Sequence, residues 1–231
     1  MSQDKALGKY ICIEGIDGVG KTTQVKMLYD FMCTNSMPAS TTSEPGSKHC
    51  PLTMELRSLI LDAKYKSSLT DLGREYLLQA ARSINLEKVV YPALFEGSCV
   101  ICDRGVVSGL SYGSASGLDM ELLQNLFTTT VEAFCKLTQK ESQQLYDIVI
   151  ILEGSNTIAQ DKKEFVQGDV IEMRGSAFMD KVKHNMHKVA SSTILLCPFV
   201  FICVDGKDRD TVHKEICTVL LERGIIKSKD I

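Results

Sequence analysis

A three-layer α/β fold, a five-stranded parallel sheet with helices on both faces, is predicted by three features of this sequence. Short, unbroken apolar runs recur along the chain. They alternate with segments whose apolar residues repeat with a helical period. At the first strand-to-helix junction stands a glycine-rich turn, Gly15-Ile16-Asp17-Gly18-Val19-Gly20-Lys21-Thr22. Runs without polar alternation belong to strands buried on both faces, as in parallel sheets covered by helices.

Taken in order, Tyr10-Ile11-Cys12-Ile13 is the first buried strand. The turn after it fits G-x-x-x-x-G-K-[ST], the phosphate-binding P-loop of nucleotide triphosphatases, in which successive backbone N–H groups point at phosphate oxygens. The residues expected around ATP are Gly15, Ile16, Asp17, Gly18, Val19, Gly20, Lys21, Thr22 and Thr23. Lys21 supplies charge to the β- and γ-phosphates, and the Thr22 hydroxyl is a ligand for Mg²⁺. The following helix, with Leu28, Phe31 and Met32 on its apolar side, adds its positive dipole end. Met37 to Thr42 reads as a weak strand ending at Glu44-Pro45-Gly46, so Glu44 sits at a strand end, where open α/β sheets bind ligands.

Pro51 opens a helix carrying Leu52, Leu56, Leu59 and Ile60, with Arg57 on its flank. Thr70 to Val90 reads as one long helix stopped by Pro92, its apolar stripe formed by Leu72, Tyr76, Leu77, Ala80, Ala81, Ile84 and Val89. Cys99-Val100-Ile101-Cys102 is a strand that ends in Asp103-Arg104. Asp103 is the second expected Mg²⁺ residue, since a carboxylate there completes many P-loop sites. Gly105 to Gly117, rich in glycine and serine, lets the backbone approach a ligand. Asp119 caps the next helix, Ile148 to Leu152 is a strand, and Phe178 to Val189 a helix. Phe199 to Val204 is the last strand and Thr211 to Leu221 the last helix. Between them, residues 156–175 are polar and mixed in charge, the composition of a mobile lid. The whole of 1–231 is expected to form a single domain.

Charge nearly balances, 26 basic against 29 acidic residues, and no basic block appears, so a nucleic-acid polymer is not an expected partner. The longest apolar run, Ile194 to Val204, has 11 residues and contains Pro198, too short for a bilayer. The first residues lack a signal-peptide core, which predicts a cytoplasmic protein. Nine cysteines, an odd number with several inside strands, read as small apolar residues. Cys99 and Cys102, three apart in a strand, face opposite sides of the sheet and do not share a metal.

A P-loop alone does not choose among kinases, GTPases and ATPases. No Asn/Thr-Lys-x-Asp base-reading motif is present, while Arg57, Arg82 and Arg104 are placed to grip a second, phosphorylated substrate. With these residues the sequence resembles the thymidylate kinase family. The resemblance rests on Ile13 to Gln24, on Glu44-Pro45-Gly46 followed by Glu55 to Asp62, and on Ala80-Ala81-Arg82. Tyr91-Pro92-Ala93-Leu94, Asp103-Arg104 with Ser108 and Tyr112, and Asp169-x-x-Glu172 with Phe178 follow in order. It implies ATP-dependent phosphorylation of a deoxynucleoside monophosphate, dTMP to dTDP, by a homodimer. It implies further that Asp17 meets the deoxyribose 3′-hydroxyl or a metal water. Arg57 and Arg104 would hold the acceptor phosphate, Arg82 would reach the pyrimidine, and Ser108 and Tyr112 would line the nucleoside pocket. Glu44 belongs to the same substrate site.

The chain departs from the family pattern at named positions. Leu78 stands where an aromatic stacks on thymine, Gly113 where many bacterial members have glutamine, and Ser43 where arginine precedes the Glu-Pro-Gly motif. His49 and Cys50 read as an insertion. Val170 replaces a lid arginine, so the cation on the transferring phosphoryl group falls to Arg174, Lys162 or Lys163. The catalytic set expected is therefore Lys21, Asp17, Arg104 and Arg174. Gly113 suggests room for a bulkier or modified pyrimidine. A deoxynucleoside kinase and a non-catalytic nucleotide sensor are the alternative functions.

Overall fold

The computed structural model describes residues 6–155 and 174–227. Five parallel strands form one sheet: β1 (Tyr10–Glu14), β2 (Ala39–Ser43), β3 (Cys99–Asp103), β4 (Ile148–Glu153) and β5 (Phe199–Cys203), in spatial order β2-β3-β1-β4-β5. In register, Cys12 lies opposite Cys102 on one side and Val149 on the other. All five residues of β1 are buried. Only helices on both faces produce that, and the all-parallel sheet explains why β1, β3 and β4 read as unbroken apolar runs. The edge strands differ. Polar β2 is half-buried, and β5, expected to be buried from its apolar sequence, exposes Phe201 at an edge, where the His187 ring stacks on it with centroids 4.7 Å apart.

Around the sheet stand α1 (Lys21–Thr34), α2 (Pro51–Leu61), α3 (Asp71–Asn85), α4 (Tyr91–Phe95), α5 (Val106–Ala115), α6 (Met120–Thr138), α7 (Ser176–Ala190) and α8 (Arg209–Glu222). Asp119 caps α6 by accepting the Leu122 N–H at 3.1 Å. Pro51 opens α2 in its first turn. All nine cysteines are free thiols. No helix among the described residues is long and apolar enough to cross a membrane.

Two helices depart from the expected pattern. Pro92 does not stop the chain: α3 passes through a π-helical turn, Leu86–Val90, directly into α4. Pro92 then occupies the first turn of α4, a position whose geometry its fixed φ suits. The turn comes at Gly97, with φ 86°. More consequential is the face α3 buries. Its buried residues are Arg74, Glu75, Gln79, Ala81, Arg82 and Asn85, whereas Leu72 and Tyr76 of the apolar stripe are exposed. Leu52 and Leu59 of α2 are exposed as well. These two helices turn polar groups inward because the inward side is a cleft rather than a core.

That cleft lies outside the carboxyl ends of β1 and β3. The chain runs from β1 to the edge at β2, returns to β3, and then crosses to β4 on the other side of β1. A parallel sheet whose connections diverge in this way leaves a crevice at the strand ends.

Candidate active site

The loop after β1 is held by two close approaches. A Cβ on Gly15, φ 139°, would lie 2.4 Å from the Leu152 carbonyl oxygen. Only glycine lets the loop cross the end of β4 so tightly. Lys21, at the start of α1, folds back and donates from Nζ to the Ile16 carbonyl at 2.5 Å. Burial, followed by the nearby Arg104 charge, pulls its pKa down from 10.5 to about 7. An ammonium in that setting gains strongly from an anion, because burial has removed its water. Thr22 Oγ1 donates to Asp103 Oδ2 at 2.5 Å, bringing the two expected Mg²⁺ residues into direct contact across β1 and β3.

The residue after β3 is Arg104, with φ 66°. The left-handed turn aims its guanidinium back over the P-loop, where Nη1 donates to the Gly15 carbonyl and to Ser108 Oγ, each at 3.0 Å. Nη2 donates to Asp17 Oδ1 in an ion pair. Tyr112 OH reaches the other Asp17 oxygen at 3.4 Å, and the Arg104 guanidinium lies over the Tyr112 ring. Beneath them is Glu14, fully buried. Its Oε1 accepts the Gly105 N–H at 2.8 Å and the Ser108 N–H at 3.0 Å, and Oε2 accepts from Ser108 Oγ. Burial raises its pKa, against those hydrogen bonds.

Beside the P-loop, a cavity of about 150 Å³ is walled by α2, α3 and α5. Asp17, Glu44, Arg57, Arg104, Ser108 and Tyr112 line it, together with Leu78, Glu75 and Gly113. Arg57 reaches it from α2 and donates from Nη1 to the Pro45 carbonyl at 2.7 Å. Arg82 stands behind this wall. It is 2% exposed, donates from Nε to Glu44 Oε2 at 2.8 Å and from Nη1 to Gln79 Oε1 at 3.0 Å, and its Nη2 abuts Gly109. A buried pair broken on one side leaves an uncompensated charge. Arg82→Ala is accordingly expected to lower unfolding free energy by about 3–5 kcal/mol, measured by urea titration; a loss below 1 kcal/mol would mean that Glu44 finds another partner.

Arg174 lies at the cavity mouth, donating to Asp71 Oδ1 and Ser116 Oγ at 2.6 Å each, over the Phe178 ring. Lys162, Lys163, Asp169, Val170 and Glu172, and residues 156–173 of the expected lid, lie outside the described residues. Gly113 does not simply open the cavity: a Cβ there would meet Leu123 at 2.9 Å.

Sequence reasoning missed Glu14, Arg74, Glu75 and Gln79. The signal was available in α3, where Arg74, Glu75, Gln79 and Arg82 form a polar stripe opposite the apolar one.

An anion-cradling loop on a parallel sheet, with a cavity beside it that Arg104 joins to the loop, defines the P-loop kinase class. The family model described as Thymidylate kinase matches residues 13–196. The thymidylate kinase of Geobacter sp. strain M21 is 37% identical over 202 residues, 87% of this chain and 85% of its own length. That of Legionella pneumophila strain Corby is 37% identical over 216 residues, 93% and 95% of the two chains. The fold is that of the Candida albicans thymidylate kinase, with TM-score 0.71, 20% identity, and 96% and 94% of the chains covered. The Ehrlichia chaffeensis thymidylate kinase gives TM-score 0.68, 23% identity, and 92% and 98% coverage. The chain belongs to the thymidylate kinase family and is a phosphotransferase.

Proposed function

We propose that this chain transfers the γ-phosphoryl group of ATP to dTMP, giving ADP and dTDP for DNA precursor synthesis. The observation that carries the reading is the joint between the two sites, where Arg104 contacts the P-loop carbonyl of Gly15 and also lines the neighbouring cavity. Two anions brought end to end repel, and a guanidinium between them offsets that repulsion. The acceptor phosphate is itself the nucleophile and is already ionised, so no general base is required. Alignment and charge neutralisation are what remain for the protein to supply.

In this reading Lys21 and the loop amides hold ATP, and Arg57 and Arg104 hold the acceptor phosphate. Asp17 steers Arg104 and faces the sugar beside Tyr112 and Ser108. Arg82 braces the base end through Glu44. Arg174 enters the reaction only by leaving Asp71 and Ser116. Thr22 and Asp103 offer the hard oxygen donors that Mg²⁺ takes, and their mutual contact at the loop suits one ion shared with phosphates and water. The ion would supply charge neutralisation on the phosphates. The lid over 156–175 and a cytoplasmic location belong to the same proposal.

ADP release measured with dTMP, dUMP, dCMP, dGMP, 5-substituted dUMP and thymidine tests the reading. Turnover with dTMP is expected to exceed the others. Preference for thymidine would make the chain a nucleoside kinase, and ATP binding without any transfer would make it a sensor.

A homodimer accounts for the outward apolar residues Leu52, Leu59, Leu72 and Tyr76 on α2 and α3. The protein is expected to sediment as a dimer at micromolar concentration, and Leu59→Glu with Tyr76→Glu to yield monomers. A monomeric wild type would remove the dimer.

A further inference from the structure

We propose that Glu75 reads the acceptor base, accepting through Oε2 the ring N3–H of a thymine or uracil. The inference rests on the acceptor-site reading above. Glu75 lines the cavity from α3, as do Leu78 of the same helix and Gly113 of α5. Its Oε1 is taken by Gln79, whose Nε2 donates at 2.6 Å. Gln79 Oε1 in turn accepts from Arg82 Nη1 at 3.0 Å, and Arg82 is clamped to Glu44 at 2.8 Å. Four buried side chains therefore fix how the carboxylate is turned, and among the described residues Glu75 Oε2 and Glu44 Oε1 are the oxygens of these four that accept no hydrogen bond. Glu44 Oε1 is sealed away from solvent. Glu75 Oε2 is the oxygen on the Gly113 side, 3.4 Å from where a Cβ on that glycine would stand.

Gly113 thus borders the carboxylate at ordinary contact distance, while the tight contact of a side chain there would be with Leu123. Asp71, another carboxylate of the cavity lining, already accepts from Arg174 through Oδ1. Glu75 is 5% exposed, and burial raises its pKa against the opposing influence of Arg82 and Gln79. An N–H donated by a ligand would offset part of that desolvation, whereas a lone pair or a methyl group in the same place would not.

The test compares dTMP with N3-methyl-dTMP on wild type, Glu75→Ala and Glu75→Gln, with melting temperatures recorded for each. Wild type is expected to lose on the order of 10²-fold or more in kcat/KM on N3-methylation. Glu75→Ala is expected to raise KM for dTMP about tenfold with kcat little changed, and to prefer the methylated base or accept both equally. Glu75→Gln, which keeps an acceptor oxygen, should recover part of the affinity. Wild type using both substrates within threefold would overturn the proposal without any variant. So would a Glu75→Ala enzyme that still rejects the methylated base as strongly. Wild type that turns over neither substrate would instead remove the acceptor-site reading, and this proposal with it.

Discussion

Lys21→Ala is expected to lower kcat by about 10³-fold or more while leaving the protein folded. Nothing else among the described P-loop residues carries a positive charge, and the loop's other direct contributions to the phosphates are its amide dipoles and the Thr22 hydroxyl. The ammonium gains its full value only when phosphate arrives, because in the protein alone it donates to the Ile16 carbonyl in a buried setting. The stability consequence runs the other way. With its folded pKa lowered from 10.5 to about 7, first by burial, the charged lysine disfavours folding. That penalty is complete below about pH 7, where the group is protonated both folded and unfolded, and it fades as pH rises toward 10.5. Lys21→Ala should therefore melt no lower than wild type, and slightly higher at neutral and acid pH. Coupled assays and thermal melts check both statements. Near-normal turnover, or collapse of the fold, would contradict them.

Arg104→Ala is expected to raise KM for dTMP by about 10²-fold and to lower kcat in addition, with ATP affinity changed only a few-fold. Four contacts converge on that guanidinium: the Gly15 carbonyl, Ser108 Oγ, Asp17 and the Tyr112 ring. Removing it breaks the contact between the cavity wall and the P-loop and takes away the Arg104–Asp17 ion pair. Arg104→Lys retains charge but cannot serve Asp17 and the loop carbonyl at once, so an intermediate loss is expected. Isothermal titration with an ATP analogue and with dTMP separates the two affinities. An unchanged KM for dTMP would take Arg104 out of the acceptor site.

The same two residues mark how far the chain is legible before it folds. Lys21 is legible from spacing alone, since a P-loop is a local arrangement of one strand, one turn and one helix start. The sheet is legible for a similar reason. Strands covered on both faces must be apolar throughout, and β1, β3 and β4 carry that requirement in their sequences. Strand β5 is as apolar and yet lies at the edge, because a strand's neighbours are not encoded in its own residues.

Where periodicity misled, the cause was long-range. Helices ordinarily bury their apolar side, which would turn the apolar stripe of α3 inward. Glu44 and Arg82, separated by 38 positions, instead turn the polar side inward, and Leu72 and Tyr76 face out. Similarly, Pro92 marks a helix end in isolation, but a π-helical turn before it lets the chain continue as helix.

By itself the sequence determined the parallel α/β class, the phosphate loop and the family, all of which depend on short-range patterns. Only the tertiary structure decided which arginines face the cavity and which is locked behind it, and that Glu75 stands in the wall beside Gly113. Those outcomes depend on the partners that distant segments bring within about 3 Å, the range over which a buried charge is either compensated or left available to a ligand.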